Sequence, residues 1–240
     1  MPSKLTQLKA IIQKELRVYF NSPIAYIFLV AFLGFTFWLF FRNFFLVGQA
    51  DVQYMFDVLP WIYLLLIPAM TMRLWAEEKR GGTIENLLTS SAPLSISVLA
   101  KFIASLIFLL ITLAATLPLP LIVSSLGPLD WGATLAAYLG AILLGSSYIA
   151  LGLLLSSITN NQIVAYIISS LACFALFIIA QPLVTISLPA FIIPVVDFIS
   201  FGSHYDSIVR GVVDTRDLIY YLSFIGLMLY LNAYVLFAKK

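Results

Sequence analysis

The chain has 240 residues, 62% of them apolar and 10% charged, with a mean hydropathy of +1.05. Soluble domains run at roughly 45–50% apolar and about 25% charged, so this composition excludes a secreted domain, a disordered protein and an ordinary cytosolic enzyme. A formal net charge of +2 is too small to suggest nucleic-acid binding, and one cysteine (Cys173) with one histidine (His204) excludes an internal disulfide and a Cys-based or His₃ metal site.

Residues 4–20 read as an amphipathic helix. Leu5, Leu8, Ile12 and Tyr19, with Ile11 and Leu16 beside them, form an apolar stripe at helical spacing. Lys4, Lys9, Lys14 and Arg17 are basic, and Glu15 is the only acid. That is the pattern of a helix lying in the membrane interface. Asn21-Ser22-Pro23 breaks it, because the residue before proline avoids the helical region.

Six apolar segments follow, at about 24–46, 57–75, 97–123, 133–156, 163–182 and 217–237. Each approaches the roughly 20 residues needed to cross a hydrocarbon core of about 30 Å. The first is too long for a signal-peptide core and is expected to be uncleaved. Phe35, Phe37, Trp38, Phe40, Phe41, Phe44 and Phe45 cover every side of the outer half of that span and are expected to face lipid. Pro60, Pro68, Pro118 and Pro120 are expected to kink the second and third spans. Gly140, Gly145, Ser146, Ser147 and Gly152 allow close approach in the fourth span, either within the subunit or at a dimer seam.

Charge fixes the expected orientation. With the N-terminus in the cytoplasm, ten Lys and Arg lie inside and three (Arg42, Arg210, Arg216) outside. Every Glu then falls inside and every Asp outside. Six crossings place both termini in the cytoplasm of a plasma (inner) membrane protein.

No P-loop, HExxH or GxSxG motif is present. Ionisable groups are nearly absent from the spans, with Arg73 and Lys101 at inner ends and Arg42 and Asp57 at outer ends. Ion-coupled transporters place Asp, Glu or His at mid-membrane, so a secondary transporter is disfavoured and an external energy source is expected. The chain is read as non-catalytic and without a cofactor of its own.

The loop around 77–91 offers the surface for that source. Gly82 can end the helix leaving the second span, and Thr83 can cap a short helix with Asn86 at its third position. Ile84, Leu87 and Leu88 share one face of that helix, flanked by Glu77, Glu78, Arg80 and Glu85. The plain alternative is a solvated loop whose apolar face rests on the membrane.

The run EEKRGGTIENLLTSSAPLS resembles the coupling segment of ABC-2 type permeases, the membrane subunits of one group of ATP-binding-cassette transporters. Residues 200–224, SFGSHYDSIVRGVVDTRDLIYYLSF, resemble the permease of the gliding-motility-associated branch, which is itself similar to the copper-processing permease of nitrous oxide reductase maturation. The resemblance covers essentially the whole chain and implies one all-α domain over 1–240: an interfacial helix, six spans and a re-entrant external hairpin at 183–216. It further implies two cytosolic ATPase subunits, which hold the ATP and Mg, and a second copy of the permease. An accessory membrane protein with an external domain often accompanies this branch. Transport would be outward, or would act on something held at the outer leaflet. The alternative from another class is a membrane-anchored mechanical transmitter to an external partner, without a substrate path.

The external stretch 183–216 is too apolar for an open loop and is broken by Pro189 and Pro194. It suggests short helices folded over the outer mouth, as a gate or partner platform carrying His204, Asp206, Arg210, Gly211, Asp214 and Asp217. His204 reads first as a hydrogen-bonded interfacial residue, with a pH sensor or metal ligand as the alternative. Asp206 and Arg210 are spaced to pair, and Gly211 to turn the chain.

Overall fold

The computed structural model describes residues 3–47, 51–82, 93–186 and 189–238. Among the described residues every regular element is helical. These are α1 (Lys4–Asn21), α2 (Pro23–Val47), α3 (Gln53–Thr71), α4 (Arg73–Arg80), α5 (Leu94–Ala114), α6 (Pro118–Leu126), α7 (Trp131–Ile158), α8 (Gln162–Ile178), α9 (Pro182–Thr185), α10 (Ile193–Ile199), α11 (Phe201–Val209) and α12 (Thr215–Ala238).

Five stretches among the described residues are long and apolar enough to cross a membrane: Ala25–Arg42, Gln53–Arg80, Leu94–Leu126, Trp131–Ile158 and Thr215–Ala238. The expected fifth of six spans is α8, a shorter apolar helix of 17 residues. At 1.5 Å per residue it measures about 26 Å, the short end of what crosses a bilayer.

The prolines act where the sequence places them. α3 carries Pro60 and Pro68 inside it and stops at Thr71, and α4 continues from Arg73. α5 stops at Ala114 and α6 restarts at Pro118. The carbonyls that Pro118 and Pro120 leave without their usual donor, those of Ala114 and Thr116, accept from Leu117 and Leu119 N–H at 3.1 and 3.0 Å.

α7 is the post around which the bundle is built, in contact with α3, α5, α8, α11 and α12. Its glycines make that possible. A Cβ on Gly145 would lie 2.6 Å from Leu109 Cδ2, one on Gly152 2.2 Å from Thr71 Oγ1, and one on Gly140 3.1 Å from Ile208 Cγ2. All three glycines therefore face neighbouring helices of the same subunit.

The aromatic belt expected on α2 is only partly lipid-facing. Phe35 and Trp38 are exposed, but Phe40 is buried in the core and pairs with the rings of Phe41 and Phe44 at 5.4 and 5.5 Å. An unbroken apolar run carries no periodicity to mark which side turns inward.

Candidate functional site

At the α1 end of the bundle the structure brings three helices together through one cation. Lys101 lies two turns into α5 and is buried. Its Nζ donates to Glu15 Oε1 on α1 at 3.0 Å and to Glu78 Oε1 on α4 at 2.8 Å, and sits 5.0 Å from the centre of the Trp75 ring. Lys101 is thus an interior charge, where the sequence suggested a charge at a solvated inner end. The amphipathic stripe of α1 accounts for the packing: the helix lies against α5, with Tyr19 stacked on Phe108 at 5.4 Å and bonded to Ser105 Oγ at 2.9 Å. Burial pushes the Tyr19 hydroxyl well above its ordinary range, which keeps it a neutral partner for Ser105.

α4 is fixed to α7 as well. Ser156 Oγ donates to Met72 O at 2.8 Å and accepts from the N–H groups of Trp75 and Ala76 at 3.2 Å each. This one hydroxyl serves backbone groups left open where α3 gives way to α4. Lys79 Nζ donates to Ser157 O one residue further on. α4 then ends as expected: Gly82 has φ +67° and donates its N–H to Lys79 O at 3.2 Å.

Of the coupling residues read from the sequence, Glu77, Arg80 and Gly82 are exposed on this stem. Glu78 is partly buried, and its Oε1 accepts from Lys101 Nζ at 2.8 Å. Thr83, Ile84, Glu85, Leu87 and Leu88 lie outside the described residues.

At the opposite end, the short helices α10 and α11 precede α12, and α11 packs against α7, α8 and α3. His204 on α11 and Asp217 in the first turn of α12 are both buried, with Nδ1 2.6 Å from Asp217 Oδ1. The other ring nitrogen, Nε2, is 3.1 Å from Phe198 O. Both ring nitrogens thus face oxygen atoms. Tyr220 stacks on the histidine at 4.0 Å and donates its hydroxyl to Ile199 O, while Ser203 Oγ donates to Asp197 O at 2.5 Å. Together these side chains satisfy the last carbonyls of α10, which have no partner within the helix. Among the described residues no group of three His, Cys, Asp or Glu side chains is placed to hold a metal ion.

Asp206 and Arg210 do not pair as charges. Arg210 Nε donates to the Asp206 backbone carbonyl at 3.1 Å instead. Its guanidinium borders a cavity of about 370 Å³ together with Asp51, Gln53, Asp130 and Thr134. Burial pushes the Asp206 carboxyl above the usual carboxylate range, and the nearby Arg210 partly opposes this. Gly211 turns the chain at φ +88°, and Asp214 Oδ1 accepts from Arg216 N–H at 2.9 Å to start α12.

Sequence reasoning missed Tyr205. Its hydroxyl donates to Phe56 O at 2.7 Å. In a regular helix that carbonyl would accept from residue 60, but Pro60 has no N–H. The signal was available: a proline four residues after a buried position orphans one named carbonyl. Tyr221, on α12, bonds Phe201 O in the same layer at 2.9 Å.

A family profile described as "ABC-2 family transporter protein" matches residues 48–238. The chain belongs to the ABC-2 transporter family. No curated protein matches it. As an ABC-2 permease it is a multi-pass membrane transport component, of a kind generally non-catalytic itself and associated with an ABC ATPase. Within the match lie α4, α7, α10, α11 and α12, and α1 and α2 precede it.

Proposed function

We propose that this permease is worked by separate ATPase subunits that push on the segment around 77–91, and that it exports a substrate or handles one at the outer leaflet. The observation carrying this reading is the anchoring of α4. The stem leading into that loop is tied to α7 through Ser156 and Ser157, and to α5 and α1 through Lys101. A displacement of the loop then reaches three membrane helices, whereas a loop merely resting on lipid needs no such fixings.

In this reading α8 is the remaining span, giving six crossings, and both termini lie in the cytoplasm of the plasma membrane. Ten of thirteen Lys and Arg support that orientation. α9, α10 and α11 form the re-entrant cap over the outer mouth, whose backbone ends are served by protein side chains as burial in a membrane requires. The likeness of 200–224 to the gliding-motility-associated branch supports a homodimer and an accessory external protein as partners.

The test is Leu87→Ala with Leu88→Ala. Losing buried anchors in such a contact costs about 2 kcal/mol or more, or roughly thirtyfold in affinity. The variant is expected to insert normally yet lose co-purification of the ATPase and permease-stimulated ATP hydrolysis. Wild-type levels of both would leave the loop as a solvated connection. ATPase coupling without nucleotide-dependent movement of solute or lipid in vesicles would favour the mechanical transmitter.

A further inference from the structure

Three hollows adjoin one another around α1 and share lining residues. Along its exposed face a groove of about 540 Å³ is bordered by Gln13, Lys14, Arg17 and Val18. Lys14 and Val18 also border a second hollow of about 160 Å³, which holds the Lys101, Glu15 and Glu78 cluster. Tyr19 and Arg73 belong both to that hollow and to a third of about 120 Å³. This third is an apolar slot between α2 and α3, walled by Phe28, Ala31, Leu66 and Ala69. A basic surface, one guanidinium and hydrocarbon-like walls thus lie side by side.

Arg73 stands at the junction, half-buried. Its Nη1 donates to Ser22 Oγ at 3.2 Å and its Cζ lies 5.5 Å from the centre of the Tyr19 ring. Among the described residues no carboxylate pairs with it, although Glu77 is one helical turn away. Buried Glu15 and partly buried Glu78 are bonded to Lys101. The guanidinium carries five donors in a planar fork, so most of its capacity for an anion is open.

We propose that these hollows form a binding site for an anionic glycerophospholipid of the leaflet at the α1 end. The phosphate lies on Arg73, whose fork matches phosphate geometry. Lys14 and Arg17 face the headgroup, and one acyl chain enters the slot between α2 and α3. Charge and shape select this occupant together. Free phosphate gains nothing from an apolar slot, which water also leaves dry. A phosphatidylcholine brings a quaternary ammonium toward two basic side chains and loses the attraction that basic clusters at a membrane surface exert on anionic lipid.

The experiment uses purified, delipidated full-length permease titrated with phosphatidylglycerol or phosphatidylcholine of matched chains, with bound lipid counted by native mass spectrometry. Phosphatidylglycerol is expected to bind about tenfold tighter or more, the scale of a charge-assisted phosphate contact. Arg73→Gln is expected to reduce it to the phosphatidylcholine level. Lys14→Gln with Arg17→Gln changes only exposed side chains and is expected to weaken phosphatidylglycerol severalfold at unchanged melting temperature, so that lost binding is not lost folding. Glycerol phosphate and inorganic phosphate at millimolar concentration are expected to leave the bound lipid in place. Equal binding of the two lipids overturns the proposal, as does phosphatidylglycerol binding that survives in both variants. Displacement by inorganic phosphate overturns it too, leaving an anion site with no use for the slot.

Discussion

Lys101 Nζ lies 3.0 Å from Glu15 Oε1, so an acid of the first helix is bonded to a cation 86 residues away inside the bundle. With Glu78 it forms a buried cluster of one cation and two carboxylates. Desolvation offsets most of the Coulomb gain in such a group, and the loss is felt when one partner is removed alone.

Lys101→Met is therefore expected to destabilise the permease by about 3–5 kcal/mol, because Glu15 and Glu78 are left without their counter-charge. Adding Glu15→Leu and Glu78→Leu is expected to recover most of that loss. Thermal unfolding in one detergent would check this, and a triple variant no more stable than Lys101→Met would show that the cluster does not act as a charge unit.

Tyr205 and Pro60 make a second prediction. Tyr205→Phe deletes the side-chain donor to Phe56 O and is expected to cost about 1–3 kcal/mol. In a Pro60→Ala background the backbone N–H of residue 60 can serve that carbonyl, so the same substitution is expected to cost clearly less. The measurement is a double-mutant cycle on unfolding, and equal costs in both backgrounds would mean that Tyr205 matters only for its ring.

Asp206 sets a pH dependence. Burial pushes its carboxyl above the ordinary 3.8, so the folded state holds the proton more firmly than the unfolded chain does. The stabilisation is full below 3.8 and is lost as pH rises from there through the raised value. Melting temperature over the acidic range should fall with rising pH less steeply in Asp206→Asn than in the wild type. Identical slopes would contradict the assignment.

Much of the skeleton was legible because lipid imposes simple demands. Long apolar runs marked five of the six expected spans, Gly82 and Gly211 the turns, and Pro68 and Pro118 the breaks. The cluster at Lys101 was not legible, because pairings over 86 and 23 residues depend on which faces of α1, α4 and α5 meet. Phe40 was misread for a related reason: α2 is apolar all round, and only its neighbours decide which ring is inside. The spacing of Asp206 and Arg210 suggested a charge pair, but the arginine reaches the backbone first, a competition that i, i+4 counting does not see. His204 and its hydrogen-bonded character were legible in the sequence. Its partners came from α10 and α12, whose packing no local pattern encodes.

The reach of α7 has one more consequence. Near its last turn Ser156 holds the start of α4, and sixteen residues earlier Gly140 lets Ile208 of α11 approach. That separation is about 24 Å along one uninterrupted helix. A helix so tightly packed moves as a body or changes its neighbours in discrete steps. Influence along it is then reciprocal by thermodynamic necessity. Under the proposed coupling, a partner that prefers one position of α11 would alter, by the same factor, how firmly the α4 end holds an ATPase subunit, and that subunit would bias α11 to the same extent.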